Sequence, residues 1–149
     1  MLRSDNGEIE VAWVPRAQIP AALDLFGPFI LRGIDAAHGT ITMQSYIKFL
    51  IDGAQLGIVY DLKNRIPLGA FLVELTDEAA WIYALSGEKV CRWANLMERL
   101  IVPWIKANGV NYIRAIGRPG WLYYFPGIHV KEKLAGREVL LEKNYGEYA

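Results

Sequence analysis

The sequence is poor in the residues that form disulfides and metal centres. Its 149 residues include one cysteine, Cys91, and two histidines, His38 and His129. A single cysteine excludes an intramolecular disulfide and a cysteine-rich zinc site. The two histidines are far apart in the sequence and have no third ligand near them, so we predict no metal. The scarcity of cysteine also favours a reducing compartment.

Long apolar runs and an excess of charge of one sign are also absent. No apolar run approaches the roughly 20 residues that cross a bilayer, and the polar residues 1–8 are unlike a signal peptide. Lysine plus arginine and aspartate plus glutamate number 16 each, so the formal net charge is zero. This balance does not favour a nucleic-acid partner. We therefore predict a soluble, cytoplasmic protein with no nucleic-acid or membrane partner.

The sequence does contain enough apolar residues for the core of one domain, covering residues 1–149. Hydrophobic residues make up 53% of the chain, which argues against disorder. The richest stretch begins with an apolar run at 79–85, typical of a buried strand. Polar residues at 86–89 break this run, and apolar residues spaced by threes and fours then predict a helix at about 92–108. A second strand at 110–116, a turn and a short aromatic helix complete the stretch.

The remaining segments predict further strands and helices around this stretch. Strands are expected at 8–14, 56–60, 68–75, 129–134 and 138–143. Helices are expected at 20–26, with a short turn after Gly27-Pro28, and after a cap at Thr42. The links between the strands at 56–85 are too short for a crossover and predict antiparallel pairs, whereas the helix at 92–108 permits a parallel pair. The predicted fold class is α/β (α+β), with a mixed, mostly antiparallel sheet and helices on both faces.

This order of elements resembles the GNAT family of N-acetyltransferases over almost the whole chain. In that family, the fourth strand offers backbone groups to the pantetheine of acetyl-coenzyme A (acetyl-CoA). The loop after this strand offers amide N–H groups to the pyrophosphate. The resemblance implies a GNAT-like domain with acetyl-CoA as cofactor and an amine as acceptor. It assigns the strand contacts to Tyr83, Ala84 and Leu85.

The loop motif of that family is Arg or Gln, two residues, Gly, one residue, then Gly or Ala. It falls on residues 89–94, which read Lys-Val-Cys-Arg-Trp-Ala. Lys89 keeps the positive charge and Ala94 matches the last position, whereas Arg92 stands where the family has glycine. The resemblance assigns cofactor contacts to Lys89, Cys91, Arg92, Trp93 and Ala94. The competing explanation is that Lys89 and Arg92 are solvated charges at the start of an amphipathic helix.

The resemblance also implies catalytic residues. The family often has a tyrosine that protonates the departing thiolate of coenzyme A (CoA), followed four residues later by glycine. Here Tyr123 precedes Gly127 at that spacing, and Tyr124 is the neighbouring alternative; packing would explain the aromatic cluster equally well. A phenol with a pKa of about 10 can donate a proton to such a leaving group. A strand glutamate often serves as base, which points to Glu74, with Glu88 as a second candidate, although both carboxylates also fit an ordinary surface position.

A more particular likeness concerns Ala-Leu-Ser-Gly at 84–87, with Trp93, and Gly-Arg-Pro-Gly-Trp at 117–121. These segments are similar to those of small GNAT-like proteins encoded by tailed bacteriophages, which implies a phage-encoded protein. Two functions stay open. The first is an acetyl-CoA-dependent N-acetyltransferase acting on an amine. The second is a catalytically inactive GNAT-fold binding protein, such as a virion or assembly component. It is favoured by Arg92 at the glycine position, and it implies protein partners or a homo-oligomer in the host cytoplasm or the virion.

Overall fold

The computed structural model of the chain describes residues 1–37, 40–134 and 136–146. Within these ranges lies a sheet of eight strands in the order β1-β2-β3-β4-β5-β6-β8-β7. The strands are β1 (Leu2–Arg3), β2 (Ile9–Trp13), β3 (Gln55–Asp61), β4 (Ile66–Leu75), β5 (Ala80–Gly87), β6 (Tyr112–Gly117), β7 (His129–Lys133) and β8 (Val139–Asn144). Neighbouring strands are antiparallel except β5 and β6, which are parallel. The predicted fold class and the predicted parallel pair are confirmed.

Helices cover both faces of this sheet, as predicted. The described ranges contain α1 (Ile19–Leu25), α2 (Gly27–Ala36), α3 (Met43–Ile51) and α4 (Ala94–Ala107). The first three helices share a core with one face of the sheet, through residues such as Phe26, Phe29 and Tyr46. α4 shares a second core with the other face, through residues such as Met97 and Ile101. The sheet is therefore the middle layer between two apolar cores.

Thr42 caps α3 as the sequence predicts. The Ser45 N–H donates to the Thr42 hydroxyl oxygen at 3.1 Å, and the Thr42 N–H donates to the Ser45 hydroxyl oxygen at 2.8 Å. This reciprocal pair satisfies amide groups that the first turn of a helix leaves without an internal partner. The helix ends before Asp52, and Gly53 follows with a positive φ of 112°.

Two predicted boundaries were wrong, and one strand was missed. The short turn expected after Gly27-Pro28 is the ten-residue helix α2, because Pro28 lies in its first turn, where proline costs no intrahelical hydrogen bond. β5 continues through Ser86 and Gly87, which were expected to break it. β1 was not anticipated because two residues are too few to show an alternating pattern.

The apolar face of α4 lies against the sheet as its spacing predicts. Leu96, Leu100 and Ile105 are buried with Trp93 just before the helix, and Trp104 is half-buried with its ring centroid 5.0 Å from that of Trp13. In the described part of the chain, no helix combines the length and apolarity needed to cross a membrane.

Candidate active site

The parallel strands β5 and β6 pair over only a short distance. Their last paired residues are Ile82 and Ala115. Beyond this point β5 continues to Gly87 beside β4, and β6 continues to Gly117 beside β8. The backbone groups that the two strands would otherwise share therefore face an opening in the middle of the sheet.

A cleft of about 570 Å³ occupies this opening and is lined from both faces of the sheet. One face contributes α2 residues, and the other contributes residues of α4 and of the segment after β6. The lining includes Arg32, Gly33, Ala36 and Ala37 on the α2 side, Ala84–Gly87 and Ala115–Arg118 from the strands, and Met97, Ile101, Trp121, Tyr124, Phe125 and Ile128 on the α4 side. Its volume lies within the range of about 300–1,000 Å³ that is typical of small-molecule sites.

A β-bulge forms part of the β5 wall. Pairing with β4 is shifted between Tyr83 and Ser86, so that Ala84 and Leu85 together face a single residue of β4. Ala84 has a positive φ of 52°, which is uncommon for a residue with a Cβ. Bulges take backbone groups out of the regular ladder and often occur beside active sites. Ala84 and Leu85 line the cleft, whereas Tyr83 is not among its lining residues.

Helix α2 lies unusually close to this bulge. A Cβ added at Gly33 would come within 2.2 Å of the Ala84 carbonyl oxygen, far inside van der Waals contact. Only glycine permits this approach without a shift of the backbone. The close packing brings α2, with Arg32, to the wall of the cleft.

The loop predicted to contact the pyrophosphate forms a short 3-10 turn, Val90–Arg92, before α4. Lys89 opens it in the left-handed conformation, with φ at 55°. The Arg92 N–H donates to the Lys89 carbonyl oxygen at 2.9 Å, and the Trp93 N–H donates to the Val90 carbonyl oxygen at 3.0 Å. Those two amide groups are thus occupied within the loop. Ala94 is the first residue of α4, where amide groups lack intrahelical partners.

Trp93 packs against the start of β4 and the end of β5. Its side chain is fully buried, and its indole N–H donates to the Glu88 carbonyl oxygen at 2.8 Å. A Cβ at Gly87 would lie 2.5 Å from the indole ring, so glycine is needed there. The side chain of Trp93 therefore has a packing role, and a ligand can meet it only through the backbone.

Arg92 points to a different part of the molecule from the cleft. Its guanidinium lies 3.0 Å from the carboxylate of Glu8, which immediately precedes β2. It does not pair with Glu88, whose carboxylate lies 3.4 Å from Arg32 instead. None of the described residues that line the cleft lies within 88–96. Lys89 and Cys91 are exposed, and in sequence they follow shortly after Gly87, which does line the cleft. Arg92, which stands where the family motif has glycine, therefore does not block the cleft.

Two arginines line the cleft from different walls. Arg32 comes from α2, and Arg118 comes from the segment directly after β6. The pair between Arg32 and Glu88 is about half exposed on both sides, so water screens it. No sequence pattern indicates Arg32 as a site residue, because α2 and β5 meet only in the folded chain. Arg118, which follows the strand predicted at 110–116, is in sequence a candidate anion ligand, with solvation or an ion pair as the competing explanation.

Tyr123 and Tyr124 both line the cleft. Tyr123 is 82% exposed, whereas Tyr124 is half-buried with its ring centroid 6.0 Å from that of Trp121. The two tyrosine rings are 5.2 Å apart and nearly perpendicular. The structure therefore brings the predicted acid and its alternative to one wall.

The predicted base, Glu74, lies away from this wall. Its carboxylate accepts a hydrogen bond of 3.2 Å from the Tyr83 hydroxyl, and neither residue is among those lining the cleft. Burial, with help from the charge and the hydrogen bond of Glu74, raises the pKa of Tyr83 to about 12. Tyr83 therefore stays protonated at neutral pH and keeps donating to Glu74.

A polar cluster that the sequence did not reveal lines the α4 side of the cleft. The Lys143 ammonium donates to Glu98 at 2.8 Å and to the Pro126 carbonyl oxygen at 2.6 Å. The Tyr145 hydroxyl donates to the same Glu98 carboxylate at 2.6 Å, and burial together with this contact raises its pKa. These residues come from α4 and from the end of the chain, so no local spacing indicates the cluster.

Within the described residues, no group of three or more histidine, cysteine, aspartate or glutamate side chains is arranged to hold a metal ion. His38 lies outside the described residues. His129 is exposed at the start of β7.

Comparison with known proteins identifies the fold but not a sequence family. No protein-family model matches the sequence, and no curated protein matches it. Solved structures do match. An acetyltransferase from Streptococcus agalactiae superposes with a TM-score of 0.61 at 15% identity, covering 92% of this chain and 98% of that one.

Two further solved structures with a similar fold are enzymes whose activities are named. FeeM, an N-acyl amino acid synthase from uncultured soil microbes, has a TM-score of 0.69 at 11% identity and covers 94% of both chains. Spermidine N-acetyltransferase from Vibrio cholerae, in complex with CoA and spermine, has a TM-score of 0.60 at 10% identity. The match covers 95% of this chain and 98% of that one. The chain therefore has the GNAT-like acyltransferase fold.

Proposed function

We propose that the protein is an N-acyltransferase that moves an acyl group from a CoA thioester, such as acetyl-CoA, to an amine. The observation that carries this proposal is the cleft between the separated strands β5 and β6, with the bulge at Ala84 in its wall. The fold and the CoA and amine ligands of a structural neighbour support it. The proposed acceptor is an amine.

The residues around the cleft fit a CoA thioester. Ala84 and Leu85 lie in the bulge and line the cleft, so backbone groups of this segment are the proposed partners of the amides of a pantetheine arm. Arg32 and Arg118 supply positive charge suited to phosphate groups. The N-terminal end of α4, which begins at Ala94, adds partial positive charge close to the end of β5. Lys89 and Cys91, in the loop between β5 and α4, remain proposed contacts of the CoA thioester.

Acyl transfer requires that the amine nitrogen bond to the thioester carbonyl carbon, that the carbon–sulfur bond break and that the amine lose a proton. A bound CoA thioester supplies the activated carbonyl and a thiolate leaving group. Tyr123 is proposed to give this thiolate its proton, with Tyr124 as the competing donor on the same wall. Glu74 is proposed as the base only through intervening water, because it does not line the cleft.

The alternative, an inactive GNAT-fold binding protein, was favoured in part by Arg92, whose side chain could close the cofactor loop. Arg92 instead pairs with Glu8, and the cleft is open. The transferase is therefore the better-supported function. The proposal of a phage origin, with its host-cytoplasm or virion location, continues to rest on the 84–87 and 117–121 segments.

Calorimetric titration of CoA into the protein tests this function. The wild-type protein is expected to bind CoA, and Arg32→Ala to weaken binding about 10- to 100-fold, as for loss of a hydrogen bond to a charged group. The matched control is Arg99→Ala, which removes an exposed α4 arginine that does not line the cleft and should keep wild-type affinity. No binding of CoA by the wild type would refute the acyltransferase, whereas equal affinity in all three proteins would refute only the role of Arg32.

A further inference from the structure

Glu98, in the second turn of α4, has the only carboxylate among the described residues that line the cleft. No histidine or cysteine of the described chain lines it either. The other ionisable side chains of the lining are three cations and three phenols: Arg32, Arg118, Lys143, Tyr123, Tyr124 and Tyr145. Cations and phenols already carry their protons at neutral pH. Of the described lining, Glu98 is therefore the one side chain that can take up a proton there.

Two donors from the end of the chain hold this carboxylate in place. The Lys143 ammonium, at 2.8 Å, and the Tyr145 hydroxyl, at 2.6 Å, both donate to the same oxygen, Oε2. Among the described residues, no donor is bonded to the other oxygen, Oε1. A carboxylate can accept about four hydrogen bonds. One oxygen is thus used to position the side chain, and the other is available to a ligand in the cleft.

Lys143 also joins Glu98 to the segment that carries the proposed acid. Its ammonium donates to the Pro126 carbonyl oxygen at 2.6 Å, and Pro126 follows closely after Tyr123 and Tyr124 in the chain. The packing here is close, since a Cβ added at Gly127 would lie 3.1 Å from the Lys143 Cε atom. The carboxylate and the two tyrosines are therefore held together, through one side chain, in the lining of one cleft.

We propose that Glu98 is the catalytic base of this protein and takes the proton that a cationic amine acceptor must lose before it attacks the thioester. This inference rests on the proposed acyltransferase function and adds a residue to its site. A primary alkylamine resembles the lysine side chain, whose pKa is about 10.4, so it is cationic at neutral pH. Glu98 needs no intervening water to meet this cation, unlike Glu74, which does not line the cleft.

The reaction moves two protons from the acceptor nitrogen. Glu98 takes the first from the ammonium, which leaves a neutral amine. As this nitrogen bonds to the thioester carbonyl carbon and the carbon–sulfur bond breaks, Tyr123, the proposed acid, gives its proton to the sulfur. Tyr123 regains a proton from the nitrogen, which becomes an amide, and Glu98 passes its own to water. Lys143 and Tyr145 are positioning residues for the carboxylate.

Acetylation of two amines of similar shape and different basicity tests this assignment. Ethylamine is cationic at neutral pH, whereas trifluoroethylamine is mostly neutral and has no proton to give up before it attacks. With saturating acetyl-CoA, Glu98→Gln should lower the turnover number with ethylamine about 10²–10⁴-fold and leave that with trifluoroethylamine close to wild type. The matched control is Glu132→Gln, at an exposed position of β7 outside the cleft lining, which should equal the wild type with both amines.

A structural role for Glu98 predicts a different result. The same fractional loss with both amines, or no loss with either, would overturn the proposal and leave the acyltransferase intact. A selective loss with ethylamine in Glu74→Gln, and not in Glu98→Gln, would give the role to Glu74. If Glu98→Gln does not fold, Glu98→Asp, which keeps the carboxylate but draws it back by one methylene, is measured instead and should show a loss confined to ethylamine.

Calorimetric titration with CoA supplies a readout that is independent of turnover. Glu98→Gln should bind CoA as tightly as the wild type, and a loss of affinity that matches the loss of turnover would assign the carboxylate to cofactor binding instead. A wild-type protein that binds CoA but acetylates neither amine would overturn the assignment to Glu98. Failure of the wild type to bind CoA would overturn the proposed function as well.

Discussion

Replacing Gly33 by alanine tests the contact that forms one wall of the cleft. The added Cβ would lie 2.2 Å from the carbonyl oxygen of Ala84, 2.7 Å from its carbonyl carbon and 3.0 Å from its Cα. Ordinary van der Waals contact begins at 3.4 Å, so the oxygen is more than 1 Å too close. Both partners are backbone, so a side-chain rotation cannot relieve the clash. α2 must move away from β5, or the bulge must change.

The expected loss of stability follows from two opposing terms. Overpacking of this kind costs about 1–3 kcal/mol, and the rigid contact between Gly33 and Ala84 favours the upper part of that range. Alanine in the middle of a helix is better than glycine by about 1 kcal/mol. The net free energy of unfolding should therefore fall by about 1–2 kcal/mol. For a chain of 149 residues, this lowers Tm by roughly 2–4 °C per kcal/mol.

Urea unfolding of Gly33→Ala and Gly27→Ala, together with CoA titration, measures this effect. Gly27 is the matched control, because it opens the same helix and no described atom lies within 4 Å of its added Cβ. Gly27→Ala should be neutral or up to about 1 kcal/mol more stable. Gly33→Ala should also bind CoA more weakly, since Arg32 moves with α2. A Gly33→Ala protein as stable as Gly27→Ala would refute the close packing of α2 on the bulge.

Three further outcomes are expected. Tyr123→Phe should lower the turnover number about 10²–10⁴-fold with little change in KM, and Tyr124→Phe much less; the opposite ranking in steady-state assays would assign the acid to Tyr124. Trp93→Ala should lower the free energy of unfolding by about 3–5 kcal/mol, and a loss below about 1 kcal/mol in urea would show that its indole does not support the sheet. Burial alone would raise the pKa of Glu142, but hydrogen bonds, chiefly from Arg114, bring it below the ordinary 4.5. Stability from this carboxylate is present above pH 4.5 and lost as pH falls through its lowered pKa, so Glu142→Gln should flatten unfolding free energy against pH in that acid range.

The parts of the fold that the sequence predicted are those with a strong local pattern. The strand at β5 and the helix α4 show clear apolar runs and spacing, and Thr42 is a cap whose partner, Ser45, lies three residues away. α2 was cut short because Gly27-Pro28 reads as a break, although proline fits the first turn of a new helix. The apolar pattern therefore predicted the sheet and the helices on its two faces. The junction between α1 and α2 depended on the position of Pro28 within the first turn of α2.

The candidate site was less accessible from sequence because its parts meet only in the folded chain. The opening arises where pairing between β5 and β6 stops, and no residue type marks that point. Arg32 reaches the cleft from α2, and Lys143 reaches Glu98 across 45 positions. Arg92, which the sequence placed at the phosphate loop, is held by Glu8 from the start of the chain. Each of these contacts is long-range, which local spacing does not encode.

A crystal structure of the protein with bound CoA tests the central claim most directly. The account predicts that CoA occupies the opening between β5 and β6, with its pantetheine along Ala84–Gly87 and its phosphates beside Arg32 and the start of α4. CoA bound elsewhere, or a cleft that stays empty in crystals saturated with CoA, would contradict the account.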